Sequence, residues 1–178
     1  MYSELLKYDT SFSEGMFITN IDNIFVQILS AIMHKRIEEV KHFVGDAIYN
    51  DLVKQVDYLE NNNYIQFYDE LNVKSTEILD VVETDNSFQI KVKITSRYMD
   101  YLMNSANIII KGHDKFRIEK ENYLVFEKQK KFKDLNEVRK CPGCGISMDI
   151  NRNGKCEYCG TIFNLDERNW ILVSFIME

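Results

Sequence analysis

Four cysteines in two close pairs are the residues of this 178-residue chain best suited to chemistry. Two residues separate Cys141 from Cys144, and two separate Cys156 from Cys159. This spacing lets both sulfurs of a pair point to the same side of a tight turn, and a glycine follows each pair, where the backbone often needs a conformation free of a Cβ. The sequence therefore predicts one structural zinc ion, bound by these four thiolates in a ribbon over residues 138–164.

Two other uses of the cysteines compete with zinc. A thioredoxin-type redox pair would follow a strand and begin a helix, which disfavours it here. A rubredoxin-type iron centre uses the same four thiolates, and the sequence does not distinguish it from zinc, the commoner occupant. Four thiolates leave no coordination position for water or substrate, so the predicted site is structural. Cysteines used in this way, without a signal peptide in the sequence, indicate a reducing compartment and predict a cytoplasmic, soluble protein.

The remaining polar residues show no comparable pattern. The three histidines are scattered, and the sequence contains neither a phosphate-binding glycine loop nor a nucleophile motif. We therefore predict no catalytic residues and no enzymatic activity.

Two segments in the first half have helical periodicity. Ser11 and Glu14 have capping-box spacing, and apolar residues recur from Phe17 to Ile32 at steps of three and four, which predicts a helix ending near Lys35. A short helix is expected over residues 37–43, and a further helix from Asp46 to the asparagines at 61–63.

The second half changes to the two-residue period of strands. Apolar and polar residues alternate over residues 88–95, and a segment rich in β-forming residues precedes them at 71–82, so the two are expected to form a hairpin. Further strands are predicted at 108–110, 123–131 and 170–177. This order predicts an α+β fold with helices on one face of a curved antiparallel sheet. The expected domains are residues 1–137 with 165–178, interrupted by the ribbon.

The sequence also suggests two binding surfaces. The net charge is −6, yet residues 111–140 carry ten basic and six acidic side chains, so a basic face is possible on an acidic protein. We predict contact with an anionic surface at Lys128, Lys130, Lys131 and Lys133, although edge-strand lysines that block aggregation explain the same residues. The predicted apolar pocket comprises Phe17, Ile21, Phe25, Phe88, Ile90 and Trp170, although an apolar helix stripe is more often core than pocket.

Three segments resemble a known family: Asp9-Thr-Ser-Phe-Ser13, Tyr123-Leu-Val-Phe-Glu-Lys128, and Cys156-Glu-Tyr-Cys-Gly160 leading to Trp170. The chain resembles the Tim44-like domain family, the C-terminal domain of the mitochondrial inner-membrane import-motor scaffold, and in particular its bacterial zinc-ribbon-bearing branch. The resemblance implies a cone-like fold of the nuclear-transport-factor-two type. It also implies a non-enzymatic role in lipid binding, transport or scaffolding at a membrane surface.

We therefore expect a binding module that contacts a lipid, a membrane surface or a protein partner, with a location peripheral to the membrane. The alternative is a small isomerase or hydrolase that uses a cavity group such as Asp100 or Tyr98. Nucleic-acid binding is disfavoured by the net charge and by the balanced charges of the ribbon. The sequence leaves the ligand and the oligomeric state open.

Overall fold

The structure is a computed structural model that describes residues 2–130, 139–140, 147–148, 158 and 170–177. Three helices come first, α1 (Ser3–Tyr8), α2 (Glu14–His34) and α3 (Asp46–Asn61), with a 3-10 turn at Ile37–Val40 between the last two. The strands are β1 (Ile65–Glu83), β2 (Ser87–Met103), β3 (Ile109–Gly112), β4 (Ile118–Gln129), β5 (Arg139–Lys140), β6 (Ser147–Met148) and β7 (Ile171–Met177).

Helix α2 follows the predicted apolar stripe, but it begins at a different cap. Ser13 is the N-cap residue, and its hydroxyl accepts a hydrogen bond from the Met16 amide at 3.5 Å. The predicted capping box of Ser11 and Glu14 is wrong, because the Ser11 hydroxyl donates to the Asp9 carboxylate at 2.6 Å instead. The predicted end is confirmed at Lys35, whose left-handed backbone (φ 57°) ends the helix.

Helix α3 is confirmed from Asp46 to Asn61. The short helix expected at 37–43 is smaller, a 3-10 turn of four residues that buries Ile37 and Val40. It carries the chain from α2 to α3 while both helices keep an apolar side toward the sheet.

The main sheet has five antiparallel strands in the order β1-β2-β4-β7, with β3 also paired to β2. The predicted hairpin of β1 and β2 is confirmed, and the α+β expectation is confirmed with it. Strand β1 starts earlier than its sequence indicated, at Ile65. Its register shifts at three places, between Asp69 and Asn72, Val73 and Ser75, and Ile78 and Asp80. Such irregularities interrupt the regular alternation of side chains between the two faces of a strand.

Alternate residues of β2 and β4 form the inner face of the sheet. Phe88, Ile90, Val92 and Ile94 are buried on β2, and Leu124 and Phe126 lie on the same face of β4. The stripe of α2 packs on this face to form the core. The opposite face carries charged pairs such as Lys93 with Glu77 and Glu121, as expected of a surface in contact with water.

By length and hydropathy alone, α2 could also cross a membrane, and within the described ranges it is the one helix that could. Its apolar stripe is buried against the sheet, and the core helix of a globular domain passes the same test.

Strand β7 pairs with β4, so the described residues on both sides of the predicted ribbon share one sheet. The short strands β5 and β6, which flank the first cysteine pair in the sequence, are hydrogen bonded to each other. The predicted domain boundaries near 137 and 164 lie outside the described residues and stay a prediction.

Candidate functional site

One end of the inner face holds an ion pair between distant parts of the chain. Lys128, near the end of β4, donates to the Asp9 carboxylate, which follows α1, with Nζ 2.5 Å from Oδ2. The two side chains retain only 11% and 15% of their exposure. The pair therefore fixes the N-terminal segment to the sheet at the point where β4 ends.

Trp170 lies on the same end, immediately before β7. Its ring meets Phe17 edge-on at a centroid distance of 5.2 Å and Phe12 at 6.2 Å, and the Lys128 ammonium lies 5.9 Å from its centroid. The Tyr2 ring also packs on Phe12, at a centroid distance of 5.6 Å. We call Asp9, Phe12, Lys128 and Trp170 the junction cluster, because it joins the N-terminal segment to β4 and β7.

The charge of Asp9 is stabilised despite its burial. Burial acts to raise the pKa of Asp9, but hydrogen bonds from Lys128 and from the hydroxyl and amide of Ser11 outweigh it, so the pKa lies below its ordinary value. The junction cluster therefore keeps its ion pair at neutral pH.

The other end of the inner face carries a second group of polar residues, which we call the rim cluster: Gln66, Tyr68, Tyr98, Asp100 and Lys120. The Asp100 carboxylate accepts from Lys120 Nζ at 2.8 Å and from the Gln66 amide at 2.8 Å. Asp100 and Lys120 are 26% and 24% exposed, so solvent reaches this pair more easily than the one at the junction cluster.

Two tyrosines lie beneath the rim pair. The Tyr68 and Tyr98 rings meet edge-on at 5.5 Å, and the Lys120 ammonium lies 6.0 Å from the Tyr98 centroid. Burial first, and the charge of Asp100 second, raise the pKa of both phenols far above the ordinary value. Both hydroxyls therefore stay protonated and serve as hydrogen-bond partners.

This arrangement suits binding better than proton transfer. An efficient general acid or base has a pKa near the working pH, whereas these phenols are shifted away from it. The Asp100 carboxylate is already engaged by an ammonium and an amide. The rim cluster could thus orient a polar group at the edge of the core.

A buried amide lies between the two clusters on β4. Asn122 is fully buried and donates to the Ile94 carbonyl at 3.2 Å and to the Ser96 hydroxyl at 3.0 Å. Within the described part of the chain, its Oδ1 has no hydrogen-bond partner. Leaving this oxygen unpaired lowers the free energy of unfolding by about 1–3 kcal/mol, which the packing around it must offset.

The structure brings the predicted pocket residues together. All six are buried in one core beneath the sheet, where α2, β2 and Trp170 meet. Their placement fits either a lining or a packed core, so ligand binding at these residues stays a prediction.

The predicted basic surface has a different environment from the one its sequence suggested. Lys128 is paired with Asp9, and Lys130 donates to Glu83 at 2.7 Å and to the Thr84 carbonyl. Each described lysine would have to leave a carboxylate to reach a lipid headgroup. Lys131 and Lys133 lie outside the described residues, and the surface contact stays a prediction.

The predicted metal ligands Cys141, Cys144, Cys156 and Cys159 also lie outside the described residues. Among the residues that are described, no group of three or more histidine, cysteine, aspartate or glutamate side chains could hold a metal ion. Tyr158, between the cysteines of the second pair, is described and is exposed.

Sequence reasoning missed the aspartate partners of Lys128 and Lys120. Asp9 and Lys128 are 119 positions apart, and no local pattern connects them. For the rim cluster a signal existed: Lys120 has the same parity as the buried residues of β4, which places a charged side chain on the inner face and calls for a partner.

Comparison with known proteins gives one positive result. A family model described as "Tim44-like domain" matches residues 1–137, which include both clusters except Trp170. A search of the curated proteins finds no match.

Proposed function

Because this chain belongs to the Tim44-like domain family, we propose that it is a non-enzymatic binding module of a transport system. It engages a lipid, a membrane surface or a protein partner and acts at the cytoplasmic surface of a membrane as a peripheral protein. The family match covers the helices and four strands of the main sheet, and it carries the proposal. The rim cluster supports it, since its phenols are held protonated and its carboxylate is engaged.

The sheet is inferred to curve into a cone of the nuclear-transport-factor-two type. Two features support this shape. Strands β1 and β2 are long, at 19 and 17 residues, and β1 contains three register shifts, which bend a strand. Helix α2 lies against the inner face, where such a bend would wrap around it.

The cysteine-rich segment is proposed to bind one structural zinc ion and to present a rigid flap to the partner. The pairing of β5 with β6 supports a hairpin around Cys141 and Cys144. The exposed Tyr158 supports a contact role for the second turn, because aromatic side chains are enriched at interfaces. Thiolates are ligands that zinc prefers, so the residues present fit the ion.

Metal analysis of the purified full chain tests the zinc assignment. We expect one zinc per chain, and loss of zinc in Cys141→Ser and Cys156→Ser variants alike, because each removes one corner of the tetrahedron. Stoichiometric iron with its visible absorption bands would instead establish the rubredoxin-type alternative. A chain purified without metal would reject both.

Flotation of the full chain with vesicles, together with crosslinking of the chain in intact cells, tests the binding function. We expect recovery with anionic vesicles, or one reproducible crosslinked partner from the membrane fraction. A chain that floats with no vesicle and crosslinks to no partner would reject the proposal.

A second candidate function is a small isomerase or hydrolase that uses the rim cluster. The observation that favours it is the placement of Tyr98 and Asp100 beneath a lysine at the edge of the core. Tyr98→Phe and Asp100→Asn variants distinguish the two functions. Under the enzymatic function both variants abolish turnover of a substrate found by screening, whereas under the binding proposal the unchanged chain turns over no screened substrate.

A further inference from the structure

Three exposed apolar side chains lie together in the sequence at the end of the sheet where β4 begins. Ile108 immediately precedes β3 and Ile110 lies within it, with 59% and 44% of their surfaces exposed, and Phe116 follows β3 and is 61% exposed. With the exposed Lys111 and Lys115, we call them the β3 lip. Exposed apolar residues grouped in this way mark interaction sites more often than scattered ones do.

The lip is held by a rigid turn. The side chain of Asn104 accepts from the amides of Ala106 and Ile108, each at 3.0 Å, and the Asn104 amide donates to the Ile108 carbonyl. Asn107 has the left-handed backbone that this tight connection requires (φ 59°). The exposure of Ile108 is therefore set by a hydrogen-bonded turn.

A bulge sets the position of Ile110. Leu102 pairs with Lys111 and Met103 pairs with Ile109, so Ile110 has no partner of its own on β2. A bulged residue is turned away from the regular alternation, and bulges recur where a side chain has to be re-aimed.

Gly112 and Phe116 complete the lip. Gly112 has φ +73°, and a Cβ there would lie 2.0 Å from the Asp100 carbonyl oxygen, so the chain leaves β3 in close contact with β2. The Phe116 ring then packs on the His113 ring at 3.9 Å while most of its surface remains exposed.

The lip is basic within an acidic protein. Residues 108–117 contain Lys111, Lys115 and Arg117 against the single acid Asp114, whereas the chain as a whole has a net charge of −6. Arg117 lies 3.5 Å from Glu70, and the two lysines are exposed. The lip lysines would therefore attract an anionic surface, although the chain as a whole is acidic.

We propose that the β3 lip binds an anionic lipid bilayer, with Ile108, Ile110 and Phe116 inserted at the interface and Lys111 and Lys115 at the headgroups. Aliphatic and aromatic side chains insert at the boundary between the headgroups and the acyl chains of a bilayer. Neighbouring lysines are attracted to its anionic headgroups. An acidic segment without apolar side chains of its own would use the lysines but would leave the three apolar side chains in water. This inference rests on the lipid-binding part of the proposed function and locates it.

The position of the lip leaves the other end of the sheet free. Strand β4 runs from Ile118, beside the lip, to Lys128 of the junction cluster in ten steps, which at about 3.3 Å per residue places the two about 33 Å apart. A chain bound to a bilayer by its lip could thus still present the junction end to a protein.

Vesicle flotation with the full chain tests the lip. We expect binding to vesicles of phosphatidylglycerol with phosphatidylcholine and none to phosphatidylcholine alone. Lys111→Ala with Lys115→Ala should weaken binding about thirtyfold, since each lysine near such a surface contributes about fivefold. Ile108→Ser with Phe116→Ser should weaken it at least tenfold at unchanged charge. The matched control, Lys7→Ala with Lys54→Ala, removes two exposed lysines elsewhere and should bind as the unchanged chain does.

Insertion is tested by fluorescence. Trp170 is the single tryptophan, is 8% exposed and lies in the junction cluster, so a Phe116→Trp substitution adds a second reporter at the lip. Brominated lipids should quench the added tryptophan and leave Trp170 unaffected.

The outcomes separate the inference from the proposed function. If the unchanged chain floats and the lip variants float equally well, or if the control pair loses as much, the lip is not the site while lipid binding stands. If the chain floats with no vesicle, both the lip and the lipid-binding part of the function are rejected. Binding of the unchanged chain to polyglutamate without vesicles, lost with the lysine pair alone, would assign the lip to an acidic protein instead.

Discussion

The two ends of β4 each carry an inward-facing lysine paired with an aspartate, but the two aspartates come from different parts of the chain. Lys128 holds Asp9 from the N-terminal segment, 119 positions away, and is largely buried. Lys120 holds Asp100 from the neighbouring strand and is about twice as exposed. A lysine–aspartate ion pair therefore holds two distant segments together at one end of β4, whereas at the other end the same kind of pair is accessible to solvent.

The difference in burial decides how much each pair contributes. A buried ion that loses its partner keeps its desolvation cost, whereas water replaces the partner of a more exposed one. The junction cluster should therefore be the structurally sensitive end, and the rim and lip the end that tolerates change and can serve binding.

The largest effect is expected from Lys128→Met. It leaves the buried Asp9 carboxylate unpaired, and we expect a loss of about 3 kcal/mol in the free energy of unfolding, measured by urea denaturation. Asp9→Asn combined with Lys128→Met should recover part of the loss, because no uncompensated charge remains. Lys54→Met, at an exposed helix position, is the control and should leave the midpoint unchanged. A Lys128→Met midpoint equal to that of the control would contradict the assigned role of the junction.

Gly112→Ala should have the next largest effect, at the opposite end. The added Cβ meets the Asp100 carbonyl and the backbone is left-handed, so we expect a loss of about 2 kcal/mol in unfolding free energy. Gly15→Ala is the matched control, since nothing lies within 4 Å of its added Cβ. Equal stability of the two alanine variants would show that β3 moves freely away from β2.

Lys120→Met should cost less, about 1 kcal/mol in the same measurement, because water can reach Asp100. The comparison of the two ends would be reversed if this variant lost more stability than Lys128→Met.

The smallest effect is a response to acid at the junction cluster. Because the pKa of Asp9 is lowered in the folded chain, its contribution to stability is present above the ordinary aspartate pKa, near 4, and is lost as the pH falls through the lower folded value. Trp170 fluorescence should report the loosening, since the ring contacts Phe12 and Lys128. An Asp9→Asn chain should lack this acid transition; a transition of equal size in that variant would assign it to other carboxylates.

Much of the fold follows from local patterns in the sequence. The stripe from Phe17 to Ile32 determined α2, and the alternation around Ile90 determined β2, because backbone geometry alone sets periods of 3.6 and 2. The cap of α2 was predicted wrongly, since Ser11 and Ser13 are both suitable cap residues and only the contact of Ser11 with Asp9 selects Ser13.

The sequence by itself determined the element types and the α+β class, since both rest on periodicity within short segments, and it predicted the zinc ligands from the spacing of four cysteines. Only the tertiary structure decided which charges are paired and which apolar side chains are exposed. Lys128 and Lys111 look alike in the sequence, yet one is buried beside Asp9 and the other lies exposed on β3. Burial and pairing depend on residues brought together across the sheet, and no local pattern encodes those distances.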